Sequence, residues 1–223
     1  MLDCVEITTG ERPLHSVIWL HGLGADGHDF EPMVPELVRP GWPSLRFVFP
    51  HAPVRAITLN AGMRMRGWYD LFGLSLTAVE DEAGILASVA AIEALIARER
   101  SRGVESHRIL LAGFSQGGAI ALAAGLQHAE RLAGIVALST YLPIATRIES
   151  RLSDMQKGLP VFIGHGALDP IVPQLLGQTT RQQLEHWGHP VEWQSYAMPH
   201  SVCAEELNDL AGWMERHLLG EQR

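Results

Sequence analysis

The chain has 223 residues and a mass of 24.5 kDa, with 47% hydrophobic and 19% charged residues. These values are typical of a soluble globular protein that is long enough to bury a hydrophobic core. The formal net charge is −8 and the basic residues form no long cluster, which argues against nucleic acid as a partner. No apolar run reaches the roughly 18 residues of a membrane span, and the acidic start Met1–Glu6 does not resemble a signal peptide. Cys4 and Cys203 form no CxxC pair, so we expect reduced thiols in one cytoplasmic domain over residues 1–223.

Short apolar runs alternate with helix-like segments along the chain. The predicted strands are Ser16–Leu20, Leu45–Phe49, Ile109–Ala112, Leu132–Leu138, Pro160–Gly164 and Val191–Ala197. The predicted helices are Asp29–Val38, a segment opened by a capping box of Thr77 and Glu80, one that follows Gly117, Gln174–Trp187 and Ala204–Leu218. This alternation predicts an α/β fold with a mostly parallel central sheet and helices on both faces.

The segment Ile109–Gly125 combines a strand-like run, a G-x-S-x-G motif and a helix-like run. This succession is typical of a nucleophile elbow, in which Ser115 lies at a sharp turn. Gly113 and Gly117 carry no side chains that would collide where the strand and the helix approach each other. The Ser115 hydroxyl would then lie beside the first N–H groups of the helix, which favour a developing negative charge. The motif alone arises by chance in roughly one such chain in ten, so its position between strand and helix is the informative part.

A serine nucleophile needs a histidine base, and the histidine needs a carboxylate that fixes its tautomer. Asp169 follows the predicted strand Pro160–Gly164, and His200 follows the predicted strand Val191–Ala197. In open α/β sheets, catalytic groups lie at the carboxyl ends of strands. The order Ser115, Asp169, His200 is the chain order of an α/β-hydrolase triad.

The chain resembles the phospholipase/carboxylesterase family of α/β-hydrolases, which includes acyl-protein thioesterases and small bacterial carboxylesterases. The motifs that carry the resemblance span nearly the whole chain: LHGLG at Leu20–Gly24, FPHAP at Phe49–Pro53, RGWYD at Arg66–Asp70, GFSQGG at Gly113–Gly118, LSTYLP at Leu138–Pro143, HGALDPIVP at His165–Pro173 and MPHSV at Met198–Val202.

The resemblance implies that Ser115 is the nucleophile, Asp169 the orienting acid and His200 the base. It also implies that the backbone N–H groups of Leu23 and Gln116 form the oxyanion hole. The fold draws its oxyanion donors from two places, the residue after the nucleophile and a Gly-rich loop after an early strand. Gln116 and Leu23 occupy these two places in the sequence.

The stretch Val54–Leu76 shows no clean helical or strand period, so we predict a long irregular connection. By resemblance this stretch covers the active site and lines an acyl channel, with Met65, Trp68, Leu71 and Phe72 as substrate-binding residues. The alternative is that these side chains are simply part of the core.

Other histidines, carboxylates and thiols have structural interpretations. His21 and His165 lie beside glycines at strand ends, where a structural hydrogen bond is expected, and His186 and His189 are expected on the solvated surface. The histidines show no metal-ligand spacing such as HExxH, so no metal or other cofactor is predicted.

Three further carboxylates, Asp26, Asp29 and Asp70, are alternative partners for the base, with Asp70 favoured as a loop anchor. Cys203 is expected to be a buried structural thiol.

The predicted function is a serine carboxylesterase that hydrolyses small-molecule or acylated carboxylic esters, with thioesters as further substrates. The first alternative is an acyl-protein thioesterase or lysophospholipase, and a more remote one is an inactive binding module on a hydrolase fold. A peptidase is disfavoured because nothing resembles an appended gating domain. The resemblance also allows a homodimer.

Overall fold

The computed structural model describes residues 1–73 and 79–220. Its strands are β1 (Cys4–Thr8), β2 (His15–Leu20), β3 (Leu45–Pro50), β4 (Val54–Ile57), β5 (Met63–Arg66), β6 (Ile109–Phe114), β7 (Gly134–Leu138), β8 (Val161–Gly166) and β9 (Val191–Tyr196). Seven of them form one sheet in the order β1-β3-β2-β6-β7-β8-β9, while β4 and β5 pair separately. Strand β1 is antiparallel to β3 and the other neighbours in the large sheet are parallel, which confirms the predicted mostly parallel sheet.

The helices cover both faces of this sheet. They are α1 (Val34–Leu37), α2 (Glu82–Ser101), α3 (Gln116–Gln127), α4 (Ala145–Glu149), α5 (Gln174–His186) and α6 (Ala204–Met214). Buried residues of α2, α3, α4 and α5 belong to one hydrophobic cluster, and those of α1 and α6 belong to another. Because each face of the sheet buries its own cluster, the sheet strands are apolar on both sides and read as continuous hydrophobic runs.

The helix predicted over Asp29–Val38 is interrupted. That segment forms a 3₁₀ turn at Glu31–Met33 and then the single short turn of α1. Pro32 and Pro35 have no N–H to donate, so the segment cannot form a continuous ladder of helical hydrogen bonds.

The stretch Val54–Leu76 is more regular than predicted, since it contains the hairpin β4–β5. Within the hairpin Ile57 pairs with Met63, and the connecting turn places Ala61 and Gly62 at positive φ of 53° and 77°. Only Ile57 of the residues in β4 is buried, so the strand lacks the alternating apolar pattern by which sequence reasoning recognises a strand. Residues 74–78 of this stretch lie outside the described part of the chain.

Helix α2 is capped by Asp81, whose carboxylate accepts the Gly84 N–H at 2.9 Å. The predicted capping box is therefore not the start of this helix: Thr77 lies outside the described residues, and the Glu80 carboxylate accepts the Ile144 N–H at 2.8 Å. The short Asp side chain reaches the N–H three residues later, as N-cap residues do.

The remaining predicted elements are present with shifted ends. The last helix stops being α-helical at Met214 and continues as a π-helical turn, Glu215–Leu219. Strand β1 was not predicted, because it is a short edge strand whose residues are all at least partly exposed.

The turn from β6 into α3 brings the backbones of β2, β6 and α3 into close contact. A Cβ on Gly117 would collide with the backbone carbonyls of Leu20 and His21, and a Cβ on Gly113 would collide with the backbone of Gly117. Strand β2, strand β6 and helix α3 can meet here only because both positions are glycine. The predicted role of these two glycines at the elbow is thus confirmed.

We expect Gly117→Ala to lower the free energy of unfolding by about 1–3 kcal/mol or to prevent folding, because the backbone atoms it meets cannot move without separating β2 from α3. Gly212→Ala is the matched control, since its Cβ would come no nearer than 3.6 Å to the end of the Arg216 side chain. In a helix this control should be neutral or should gain up to about 1 kcal/mol. Urea denaturation measures both, and a Gly117→Ala protein as stable as the control would contradict the packing argument.

Candidate active site

Ser115 is held at the elbow in a backbone conformation that L-residues rarely adopt, with φ 54° and ψ −123°. Two hydrogen bonds, one with the end of β7 and one with the residues that follow it, secure this conformation. The Ser115 N–H donates to the Leu138 carbonyl at 2.8 Å, and the Ser115 carbonyl accepts the Thr140 hydroxyl at 2.6 Å. Strained backbone of this kind persists only where its surroundings determine it, and it is concentrated at functional sites.

Asp169 and His200 are directly hydrogen-bonded. The His200 Nδ1 lies 2.6 Å from Oδ2 of Asp169, whose side chain is fully buried. The other carboxylate oxygen accepts the N–H groups of Ile171 at 2.8 Å and Val172 at 2.9 Å, so the carboxylate cannot rotate freely. With Nδ1–H donating to Asp169, the Nε2 atom of His200 carries the lone pair that a base requires.

The His200 imidazole packs against the first of a series of aromatic rings in contact with one another. The His200 ring lies 4.6 Å from the Phe114 ring, which lies 5.8 Å from Phe30, and Phe30 stacks on Trp19 at 5.2 Å. Because Phe114 immediately precedes Ser115, the same short segment positions the serine and the ring of the histidine.

The loop after β2 lies against the serine. A Cβ on Gly22 would be 3.5 Å from the Ser115 Cβ, so the loop backbone comes close to the nucleophile. Gly24 has a positive φ of 81°, and its N–H donates to the Arg66 carbonyl at 2.8 Å. The Leu23 N–H therefore lies between Gly22, which packs near Ser115, and Gly24, which is hydrogen-bonded to Arg66.

Gln116 contributes to the site with both its backbone and its side chain. Its N–H occupies the first position of α3, where no intrahelical acceptor exists. Its side chain bridges a neighbouring segment: Oε1 accepts the Trp68 N–H at 2.7 Å, and Nε2 donates to the Tyr69 carbonyl at 2.8 Å. The same segment contacts the Leu23 side chain through Gly67. The two predicted oxyanion residues are thus connected by residues 66–69.

His21 has the structural role expected of it. Its Nε2 accepts the Ala52 N–H at 3.1 Å, so Nδ1 carries the proton and donates to the Gly22 carbonyl at 2.7 Å. Burial lowers the pKa of His21, which keeps this ring neutral. The Trp68 indole N–H donates to the His21 carbonyl at 2.9 Å, so this tryptophan also fixes the loop.

Ser115 and His200 line a cavity of about 470 Å³. Of the predicted site residues, those that line it are Leu23, Leu71, Ser115, Gln116 and His200. Asp169 is buried behind His200 and does not line it. Three predicted substrate contacts also lie elsewhere: Trp68 is fully buried, Phe72 is exposed, and Met65 packs beside Gly24 and accepts the Asn60 side-chain amide at 3.4 Å.

Tyr69 and Tyr141 also line this cavity, and the sequence analysis does not identify either of them as a site residue. The Tyr69 and Tyr141 hydroxyls lie 2.8 Å apart, and Tyr141 also lines a neighbouring cavity of about 740 Å³. Burial raises the pKa of Tyr141 to about 12, so its hydroxyl is neutral at physiological pH. The WYD and TYLP motifs contain these residues, but sequence alone does not bring the two motifs together.

The other polar candidates are structural. The Asp70 carboxylate accepts the backbone N–H and hydroxyl of Thr58 at 2.7 and 2.6 Å, which confirms it as a loop anchor. His165 is fully buried, and its Nε2 lies 2.9 Å from the Val172 carbonyl, as expected of a structural histidine. His186 is exposed as predicted.

The expectations for His189 and Cys203 are wrong. The sequence predicts His189 on the surface, but the exposed fraction of this residue is 5%. It packs against the segment that leads into β8, with Nδ1 3.3 Å from the Leu159 carbonyl. Cys203 is half-buried, because it is the N-cap residue of α6 and lies at the helix end.

Asp26 and Asp29, the alternative carboxylates, do not contact His200 by hydrogen bond. Asp26 accepts the His28 N–H at 2.8 Å, and Asp29 lines the cavity with a pKa that burial raises. Asp169 is therefore the carboxylate that the structure brings to the histidine.

The sheet order, the strained serine after a central strand and the Asp–His pair after two later strands define an α/β-hydrolase. A family model described as Phospholipase/Carboxylesterase matches residues 2–218, so the chain belongs to that family.

Relatives and solved structures agree with this assignment. "Acyl-protein thioesterase 1" of Neurospora crassa is 40% identical over 216 residues, which cover 93% of this chain and 88% of the relative. The protein of the same name from Mycosarcoma maydis is 40% identical over 225 residues and 93% of each chain. Arabidopsis thaliana SOBER1 has a TM-score of 0.87 and 30% identity over 92% of this chain and 99% of that structure. Zea mays acyl-protein thioesterase 2 has a TM-score of 0.84 and 26% identity, covering 96% and 99%. The predicted family and fold are confirmed, and the chain is a hydrolase.

Between residues 1–73 and 79–220, no helix is both long and apolar enough to cross a membrane. In the same part of the chain, His, Cys, Asp and Glu side chains form no group of three that could hold a metal ion.

We expect Gln116→Ala to reduce both stability and activity, because it leaves the Trp68 N–H and the Tyr69 carbonyl without their partners. Each unsatisfied buried group costs about 1–3 kcal/mol, and a displacement of the oxyanion N–H by about 1 Å can reduce kcat/KM on the order of 100-fold. Gln127→Ala at the other end of α3 is the matched control, since its side chain bonds only to its own helix. If the two variants have equal melting temperatures and equal kcat/KM, the bridging role is wrong.

Proposed function

We propose that the chain is a serine carboxylesterase that hydrolyses carboxylic esters through an acyl-enzyme, with Ser115 as nucleophile, His200 as base and Asp169 as orienting acid. The observation that carries the proposal is the 2.6 Å hydrogen bond between Asp169 and His200, together with a strained serine that lines the same cavity as His200. A serine hydroxyl requires such a base to become nucleophilic at neutral pH.

In this mechanism Ser115 Oγ forms a bond to the acyl carbonyl carbon while His200 Nε2 takes the hydroxyl proton. The carbonyl oxygen becomes an oxyanion and accepts the N–H groups of Leu23 and Gln116. The imidazolium, stabilised by Asp169, then protonates the leaving alcohol or thiol as the tetrahedral intermediate collapses. Water, activated by His200, cleaves the acyl-enzyme and restores Ser115.

The cavity supports an acyl substrate with an apolar chain. Its apolar lining includes Leu59, Leu71, Ile171 and Val172 beside the serine. We therefore keep Leu71 as a substrate-binding residue. In the proposal Met65, Trp68 and Phe72 do not contact the substrate. Met65 and Trp68 support the hairpin and the loop around the cavity, and Phe72 lies outside the cavity.

A second candidate is hydrolysis of acyl-protein thioesters. It is favoured by the relatives named acyl-protein thioesterase 1, which are 40% identical over most of the chain. The triad chemistry is the same, because a thiolate leaves from the tetrahedral intermediate as readily as an alcohol does. The phospholipase part of the family description favours lysophospholipids as a further substrate class.

Several expectations from the sequence remain predictions. They are one domain over residues 1–223, a cytoplasmic location, a homodimer, no nucleic-acid partner and a reaction without cofactor. In the structure Cys4 and Cys203 are both free thiols, which is compatible with a reducing compartment.

We expect Ser115→Ala to lower kcat/KM for p-nitrophenyl esters by a factor on the order of 10⁴ or more, and Asp169→Asn by about 10³–10⁴ through loss of the correct His200 tautomer. Ser101→Ala, at the exposed end of α2, is the matched control and should match the wild type. The acyl length of the ester series and a parallel series of acyl thioesters then identify the substrate class. A Ser115→Ala variant with wild-type activity would contradict the proposal.

A further inference from the structure

Glu206 is a buried carboxyl group that the proposed mechanism does not use. It lies in the first turn of α6, the helix that follows the His200 loop, and its side chain has no exposed surface. Neither carboxyl oxygen has a hydrogen-bond partner. Fully buried carboxyl groups are rare unless they are paired, so its position requires an explanation.

The Glu206 carboxyl packs directly on the backbone of β8. A Cβ on Gly164 would collide with Glu206 Oε1. Two residues further along, on the same face of the strand, a Cβ on Gly166 would collide with the carbonyls of Met198 and Pro199. Glu206 therefore packs on β8 at Gly164, and the loop that leads to His200 packs on the same strand at Gly166.

Backbone hydrogen bonds make this region one packed unit. The Ala167 N–H donates to the Tyr196 carbonyl at 2.8 Å, and the Leu168 N–H donates to the Met198 carbonyl at 3.1 Å. These bonds join the segment that leads to Asp169 to the segment that leads to His200. A displacement of α6 from β8 would move the second segment relative to the first.

The groups that face Glu206 favour its neutral form. Helix α6 packs against α1, β8, β9 and the turn that follows α6. The ionisable residues on these elements and on α6 with its cap are Glu36, His165, Glu192, Tyr196, Cys203, Glu205, Asp209, Glu215, Arg216 and His217. The Arg216 guanidinium is engaged by Glu192 at 2.7 Å, and the Tyr196 hydroxyl donates to Asp209 at 3.0 Å. The Arg39 guanidinium, which also contacts α6, is engaged by Asn208 and Glu215, so no cation compensates a charge on Glu206 in the described part of the chain.

Burial, and then the negative charge of Asp209, raise the pKa of Glu206 to about 8. The Cys203 N–H opposes this shift, although it does not reach hydrogen-bonding geometry with either carboxyl oxygen. Near pH 7 the group is accordingly an uncharged acid, which can remain in an apolar environment at far lower cost than a carboxylate.

We propose that Glu206 is a positioning residue, which as an uncharged acid fills the space between Gly164 and the first turn of α6 and so holds the His200 loop in place. The inference rests on the proposed role of His200 as base. When Glu206 loses its proton, the unpaired charge must reach water, which separates the first turn of α6 from β8. The His200 ring then leaves its position against Phe114 in the cavity that it shares with Ser115, and catalysis declines.

The test compares the pH profiles of kcat/KM for the wild type, Glu206→Gln, Glu206→Ala and the exposed matched control Glu205→Gln. Glutamine has the shape of the uncharged acid but cannot ionise. Between pH 7 and pH 9, kcat/KM of the wild type and of Glu205→Gln should fall about tenfold, as expected for one group with a pKa of about 8. Glu206→Gln should remain within about threefold of the wild type at pH 7 and should show no such fall, whereas Glu206→Ala should lose about tenfold at pH 7.

A second measurement uses the melting temperature as a function of pH. The pKa of Glu206 is raised in the folded state, so its stabilising contribution is complete below the unfolded pKa near 4.5 and is lost as the pH rises to about 8. Over that range the wild type should lose melting temperature relative to Glu206→Gln, and above it the difference should be constant. This readout needs no activity, and it applies even if Glu206→Ala fails to fold.

Identical pH profiles of kcat/KM for the wild type and Glu206→Gln would overturn the inference, as would equal melting temperatures throughout. These results are distinct from failure of the proposed function, which would appear as activity retained by Ser115→Ala. An inactive Ser115→Ala together with an unchanged profile in Glu206→Gln would reject the positioning role alone.

Discussion

The close approach of three backbones at Gly117 is the constraint on which the site depends. With no side chain there, α3 begins directly against the carbonyls of Leu20 and His21. This contact places the proposed nucleophile Ser115, the first N–H of α3 and the loop after β2 within one small region. A larger residue would separate the donors of the oxyanion hole from the serine, whatever the other residues of the site were.

The segment Arg66–Tyr69 supplies a second layer of support. It holds the Gly24 N–H through the Arg66 carbonyl, the Gln116 side chain through two hydrogen bonds and the His21 carbonyl through the Trp68 indole. The candidate oxyanion residues are therefore positioned by a neighbouring segment of the chain. Such supporting contacts determine whether a site is preorganised or loose.

The sequence predicts the fold and the contact of Asp169 with His200, because both depend on local patterns. Ser115, Asp169 and His200 each follow a predicted strand, and parallel strands bring their carboxyl ends to one edge. The contact of Tyr69 with Tyr141 and the burial of His189 could not be predicted, because they result from packing between segments far apart in the chain. The hairpin within Val54–Leu76 escaped prediction for a different reason, since its exposed strands have no alternating pattern.

The most direct test of the account is to label the wild-type protein with a fluorophosphonate and to identify the modified residue by peptide mass spectrometry. Because the proposed mechanism activates a single serine through His200 and two oxyanion donors, we predict one adduct per chain, on Ser115, with complete loss of esterase activity. Loss of His200 by substitution with alanine should abolish the labelling. An adduct on another serine, or an unlabelled Ser115 in a protein that still hydrolyses esters, would contradict the account.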